Sequence, residues 1–199
     1  KSLRKNFKQN IRTSYNKLPN DFEFKIIDNI EELKLFYIAL SELYIDKHKM
    51  VFQPFSLYKK LFEKGMANFF VYKREKKVLS AIVIIEDGDK IHYNWGITNK
   101  DYYKYSLNTL LVNEMIKFYF EKNINYFDFG ATPNSDEKLL YFKSRWGCEH
   151  YPVYEYYTLN KPSEIDLNSS YKYARNIYSK FPKLFLRWLM PKIIPWLVQ

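Results

Sequence analysis

Between Asn68 and Trp95 the chain reads NFFVYK (68–73), REKK (74–77), VLSAIVIIE (78–86), DGD (87–89) and KIHYNW (90–95). Three runs rich in β-branched and aromatic residues are separated by two short polar turns, the pattern of consecutive antiparallel strands. Asp87-Gly88-Asp89 suits a tight hairpin, since glycine accepts the positive φ that such turns need. The centre of the chain is therefore a three-stranded meander.

Away from the meander the period changes. Upstream, Phe22, Phe24 and Ile26 alternate with charged residues as a half-buried strand does. Asp28-Asn29 caps a helix running to about His48, with Ile30, Leu33, Phe36, Tyr37, Leu40 and Tyr44 on one face. Ser56 is expected to cap a short helix through Lys64. Nearer the start, Leu3, Phe7, Ile11, Tyr15 and Leu18 form one helical stripe over residues 2–18, stopped by Pro19-Asn20-Asp21. Downstream, Ser106–Lys122 reads as a helix with Leu107, Leu110, Leu111, Met115, Phe118 and Tyr119 inward. Tyr126–Phe129 is a short strand ending at Gly130, Ser135 caps a helix through about Trp146, and Val153–Leu159 is a last strand. The order β-α-α-β-β-β-α-β-α-β across 22–159 predicts a single α/β (α+β) domain. Its sheet is mixed and mostly antiparallel, with helices on both faces.

Composition narrows the classes further. The length of 199 residues suits one domain, and 47% hydrophobic content excludes intrinsic disorder. Five Gly and eight Pro exclude collagen-like and linker sequences. The single cysteine, Cys148, excludes an internal disulfide framework and a Cys-rich metal knuckle. His48, His92 and His150 lack metal-ligand spacing, so no metal is expected. No signal peptide, membrane-spanning apolar run, phosphate-binding P-loop or nucleophile elbow appears. The formal charge of +10 is unevenly placed. Six basic residues precede Leu18 with no acid among them, and six more follow Asp166, leaving a body with 20 basic and 22 acidic residues. A basic binding module for RNA or an acidic polymer therefore has its charge on the ends only.

Two stretches carry a resemblance. Tyr126-Phe127-Asp128-Phe129-Gly130, followed by Leu140-Tyr141-Phe142-Lys143-Ser144-Arg145-Trp146-Gly147, is similar to the paired blocks of FemAB-like acyltransferases, which have the Gcn5-related N-acetyltransferase (GNAT) fold. Leu3–Arg12 resembles the basic linker helix that opens their second half, and His48 with Pro54-Phe55-Ser56 resembles a segment of their polysaccharide-associated relatives. The resemblance implies a basic linker helix over 1–20, an acyltransferase domain over 21–160 and a basic, apolar tail over 161–199. It implies N-acyl transfer to an amine of a cell-envelope saccharide or peptidoglycan precursor, small or lipid-linked. The donor it implies is an acyl-CoA such as acetyl-CoA, or an aminoacyl-tRNA. Such proteins pair two GNAT-like domains, so a preceding domain, or a second copy in a homodimer, is the expected partner. An acetyl-CoA-dependent N-acetyltransferase of a small amine is the alternative. Against it, the loop Gly96–Ser106 lacks the second glycine that lets backbone approach a pyrophosphate at a helix N-terminus.

Aminolysis of an activated acyl group needs a neutral amine, an oxyanion donor and a proton for the leaving group. By the family match, Lys143 points into the cleft as electrostatic stabiliser; the ordinary alternative is a solvent-facing helix lysine. Asp128, on the strand face opposite Phe127 and Phe129, orients an amine or acts as base, or else ties down the following loop. Arg145 can clamp phosphate, and Phe142 and Ser106 lie beside the expected donor site. Tyr93, Asn94 and Trp95 are candidate donor-binding residues on the strand bordering the expected donor cleft. Tyr93 and Trp95 should share one face, with His92 and Asn94 on the other, and one of the two faces lines the site unless the aromatics simply pack the core. His48 is a candidate base or a helix-end histidine. The Trp-containing run 181–199, interrupted by Pro191 and Pro195, fits a membrane interface or the missing domain. The expected location is cytoplasmic, peripheral at the inner membrane face.

Overall fold

The computed structural model describes Leu3 and residues 5–45 and 53–154. The elements are α1 (Lys5–Asn16), β1 (Glu23–Ile26), α2 (Ile30–Leu43), α3 (Phe55–Glu63), β2 (Ala67–Arg74), β3 (Lys77–Asp87), β4 (Lys90–Thr98), a 3₁₀ turn (Lys100–Tyr105), α4 (Leu107–Glu121), β5 (Tyr126–Asp128) and α5 (Glu137–Ser144). Strands lie in the order β1-β2-β3-β4-β5. The first four pair antiparallel, and β5 pairs parallel with β4 through Lys90↔Tyr126, Ile91↔Phe127 and His92↔Asp128. The mixed, mostly antiparallel sheet expected from the sequence is present. The segment expected as a last strand begins without regular structure at Val153 and Tyr154, and the rest of it lies outside the described residues. His48 and the tail 161–199 also lie outside them.

Both sheet faces are covered, which explains why alternate residues of β2 are apolar in both sets. Phe70 and Tyr72 face a core built with Phe7 and Ile11 of α1, Leu107, Leu111 and Met115 of α4, and Trp146 after α5. Phe69 and Val71 face the other core, with Leu33, Phe36 and Leu40 of α2 and Tyr58 of α3. Strand alternation thus sends neighbouring residues into two layers. The α1 stripe is used as read: Phe7 and Ile11 are buried, and Leu3, Tyr15 and Leu18 pack beside them. Asn113 donates to the Tyr15 hydroxyl at 2.8 Å, and that hydroxyl donates to Glu114, tying α1 to α4.

Several helix starts differ from expectation. Asn29 caps α2 by accepting the Glu32 N–H at 2.9 Å, as anticipated. Ser56 does not cap α3: Pro54 occupies that position, whose fixed φ suits a helix start without a side-chain acceptor. Asp136, not Ser135, caps α5 by accepting from Leu139 at 3.0 Å. Between β4 and α4 the expected loop contains the 3₁₀ turn, closed by Ser106 in the left-handed region at φ 54°.

Candidate active site

The site is created by a disagreement between two strands. Along β3 and β4 the register runs Ile85↔His92 and Ile84↔Tyr93, then jumps to Val83↔Trp95. Asn94 is therefore a bulged residue with no ladder partner on β3, and β5 has already ended opposite His92. A bulge re-aims the side chains on either side of it. This corrects the face assignment made from alternation. Tyr93 enters the α1/α4/α5 core, its ring centroid 5.9 Å from that of Phe129. Trp95 enters the opposite core against Tyr58, at 5.2 Å.

Tyr93 is locked in place. Its hydroxyl donates to Asn108 Oδ1 in the first turn of α4 at 3.1 Å, and burial pushes its pKa far up, so it stays neutral. A Cβ on residue 96 would stand 1.8 Å from that hydroxyl. Gly96 thus serves a close approach, with the Tyr93 ring laid along its own strand.

Where β4 and β5 meet, Asp128 Oδ2 lies 3.3 Å from His92 Nδ1. Asp128 Oδ1 accepts the Gly130 N–H at 2.6 Å. Of the two readings of Asp128, the loop tie is present through one oxygen, while the other faces His92. Its face agrees with alternation: Phe127 and Phe129, their rings tilted at 4.3 Å, join the core on one side of the sheet, while Asp128 pairs with His92. Asp87 Oδ2 stands 4.0 Å from the other histidine nitrogen, Nε2, so His92 sits between two exposed carboxylates.

Lys143 is not a solvent-facing helix lysine. It is 8% exposed, and its ammonium donates to the Gly130 carbonyl at 2.7 Å, with the Ala131 carbonyl at 3.4 Å. Burial lowers its pKa, opposed in part by Asp128. Gly130, at φ 72°, is thus held by Asp128 on its N–H and by Lys143 on its C=O, one contact on each of its two flanking peptide units. Burial raises the half-buried Cys148 thiol, so it stays protonated, with Lys143 opposing.

The remaining candidates spread out. Phe142 packs between Phe129 and Trp146 at 6.2 and 6.4 Å and is a core residue. Arg145 faces α1, its guanidinium 4.1 Å from the Phe7 centroid, away from the strand mouth. Exposed Ser106 opens α4 without a side-chain capping bond. The first turn of α4 carries no acid, and Lys100 and Lys104 stand just before it. This terminus fits the phosphates of a nucleotide-bearing donor through charge and helix dipole rather than through glycines. Sequence reading missed the His92–Asp128 pair, since strand register between two separated segments is not written in either. It also missed the role of Gly96. Among the described residues no group of three His, Cys, Asp or Glu side chains is placed to hold a metal.

Residues 1–143 match the family model described as acetyltransferase (GNAT) domain. No curated protein matches the chain. Among solved structures, an aminoglycoside acetyltransferase from an uncultured soil metagenomic sample, in complex with trehalose, is 18% identical. It superposes with a TM-score of 0.56 over 72% of this chain and 100% of its own. FemX gives a TM-score of 0.57 at 15% identity, over 73% of this chain and 54% of its own. This chain therefore spans about half of FemX. The structure of AAC(6′)-Iy with a bisubstrate analogue, CoA-S-monomethyl-acetylneamine, gives 0.53 at 7% identity, over 70% of this chain and 99% of its own. These likenesses establish the fold.

Proposed function

The chain belongs to the acetyltransferase (GNAT) domain family, and on that premise we propose that it transfers an acyl group from an acyl-CoA thioester to the amine of an amino saccharide. The observation that carries the reading is the His92–Asp128 pair at the point where β4 and β5 part. An acceptor arrives as an ammonium ion, and Asp87 and Asp128 offer it two carboxylates. His92, oriented through Nδ1 by Asp128, accepts its proton at Nε2. The freed amine attacks the thioester carbonyl, the C–N bond forms, the C–S bond breaks, and the second proton lost by the attacking nitrogen passes to solvent. The bulged Asn94, without a ladder partner, offers its backbone N–H to the carbonyl oxygen. Lys143, whose ammonium is made more acidic by burial, supplies charge or a proton to the departing thiolate. The pyrophosphate of the donor is assigned to the N-terminus of α4, near Ser106 and Lys104, which leaves the place of its ribose phosphate open.

The acidic mouth suits the amino sugars of a cell-envelope saccharide or peptidoglycan precursor, with the enzyme working on the cytoplasmic side of the membrane. Support for that acceptor class is the FemAB-like motif pair together with the charge of the mouth. No described helix is long and apolar enough to cross a membrane. An aminoacyl-tRNA donor rests on the motif resemblance alone and is not proposed. The test is thiol release from a panel of acyl-CoA thioesters with amino-sugar acceptors. Turnover that needs both substrates and disappears in His92→Ala is expected; turnover that survives His92→Ala removes the pair from the chemistry.

A further inference from the structure

A second cleft, of about 420 Å³, opens between α1 and α5, on the side of α5 away from Lys143. It is lined by Lys5, Asn6, Phe7 and Asn10 of α1 and by Tyr141, Ser144 and Arg145. The Arg145 guanidinium lies 4.1 Å from the Phe7 ring centroid and 5.7 Å from that of Tyr141. Two rings thus lie within cation–π range of the guanidinium, whose N–H groups are paired with no acceptor among the described residues. Neither Arg145 nor Lys5 has a carboxylate partner among the described residues. Seven other cations, Lys25, Lys34, Lys59, Lys73, Arg74, Lys117 and Lys122, are each paired with an acid. Two unneutralised cations in one cleft, lined also by two asparagines and a serine, make a donor-rich, anion-seeking surface. A guanidinium with unpaired N–H groups is suited to the paired oxygens of a phosphate.

We propose that the α1–α5 cleft is a phosphate-binding subsite. Lys5 and Arg145 neutralise the phosphate, and Asn6 and Asn10 hydrogen-bond its oxygens. The phosphate belongs to a substrate of the acyl transfer, an assignment that rests on the function proposed above. Two sources share this chemistry: the nucleotide end of the acyl-CoA donor and a phosphorylated amino-sugar acceptor.

The direct test is titration of inorganic pyrophosphate into the full chain, followed by calorimetry. Wild type should bind. Arg145→Gln and Lys5→Gln should each bind about tenfold more weakly, as loss of one charge-assisted contact predicts. Lys5 is exposed, so its variant should fold even if loss of the Arg145–Phe7 contact destabilises the other. Absent binding in wild type, or binding unchanged in Lys5→Gln, overturns the subsite. Coenzyme A and glucosamine 1-phosphate then serve as separate probes. Weakening of the first alone assigns the cleft to the donor, and weakening of the second alone, with unphosphorylated glucosamine unaffected, assigns it to the acceptor. If the variants weaken pyrophosphate but neither of these, the substrate assignment is wrong. A chain without acyl-transfer activity would still give the pyrophosphate result, so failure of the function and failure of the subsite are told apart.

Discussion

At the scale of single residues, the site is a set of groups held by partners one step removed from the chemistry. His92 is oriented by Asp128, and the same carboxylate fixes the N–H of Gly130, whose C=O Lys143 grips. His92→Ala should lower kcat/KM by about 10²–10⁴, the usual contribution of a positioned base. Asp128→Asn should act mainly on kcat, by upsetting the ring's orientation, with acceptor KM changed less; steady-state kinetics over both substrates separate these. Gly96 supports a stability prediction. An alanine Cβ would stand 1.8 Å from the Tyr93 hydroxyl and 2.8 Å from the ring carbon bearing it. Gly96→Ala should destabilise by about 1–3 kcal/mol through overpacking. Tyr93→Phe in the same protein should recover part of the loss by removing the nearer atom, as urea unfolding would show. Of these residues, Asp128 and Lys143 were legible because a motif carries them. Gly96 was not, since its neighbour comes from a bulge that no local pattern announces.

At the scale of elements, the helices and strands were readable and their ends less so. Periodicity over α1, α2 and α4 reports burial, which the core residues of each confirm. Caps are decided by a single hydrogen bond, and Ser135 and Asp136 offer equally good acceptors one residue apart. The bulge at Asn94 matters most, because one extra residue reverses which face the next side chain meets. Helix α1, read as a basic linker helix, packs firmly on the domain: Phe7 is 4% exposed and meets Trp146 edge to face at 4.9 Å. Phe7→Ala should cost about 3–5 kcal/mol, the range for emptying a buried aromatic site, measured by thermal or denaturant unfolding. A helix merely tethered to the domain would show almost none of that loss.

For the molecule as a whole, the aromatic richness seen in the composition becomes a pH liability. Burial holds the hydroxyls of Tyr58, Tyr72 and Tyr119 protonated well above the ordinary tyrosine value of 10.0. The unfolded chain releases those protons near that value, so above it the folded state binds more protons than the unfolded one. Stability is therefore fully present below pH about 10 and falls as pH rises, by about 1.4 kcal/mol per pH unit for each such tyrosine. Exposed tyrosines such as Tyr103, Tyr141 and Tyr154 ionise gradually with the fold intact, but the remaining phenolate absorbance should appear only together with loss of circular dichroism, in one cooperative step. Ionisation of every tyrosine with the fold intact would contradict this. The sheet carries a different consequence in the time domain. Strands β1 to β4 close by antiparallel pairing, with β2 to β4 joined through short hairpins, whereas β5 is reached only after the 15 residues of α4 and is held by three register pairs. Non-local pairings form late, and sparsely held segments open first. The amides of Phe127 and Asp128 should therefore exchange hydrogen ahead of those in β2 and β3. Because His92 and Asp128 stand on the two sides of that seam, mild denaturant should silence the enzyme before it unfolds the protein.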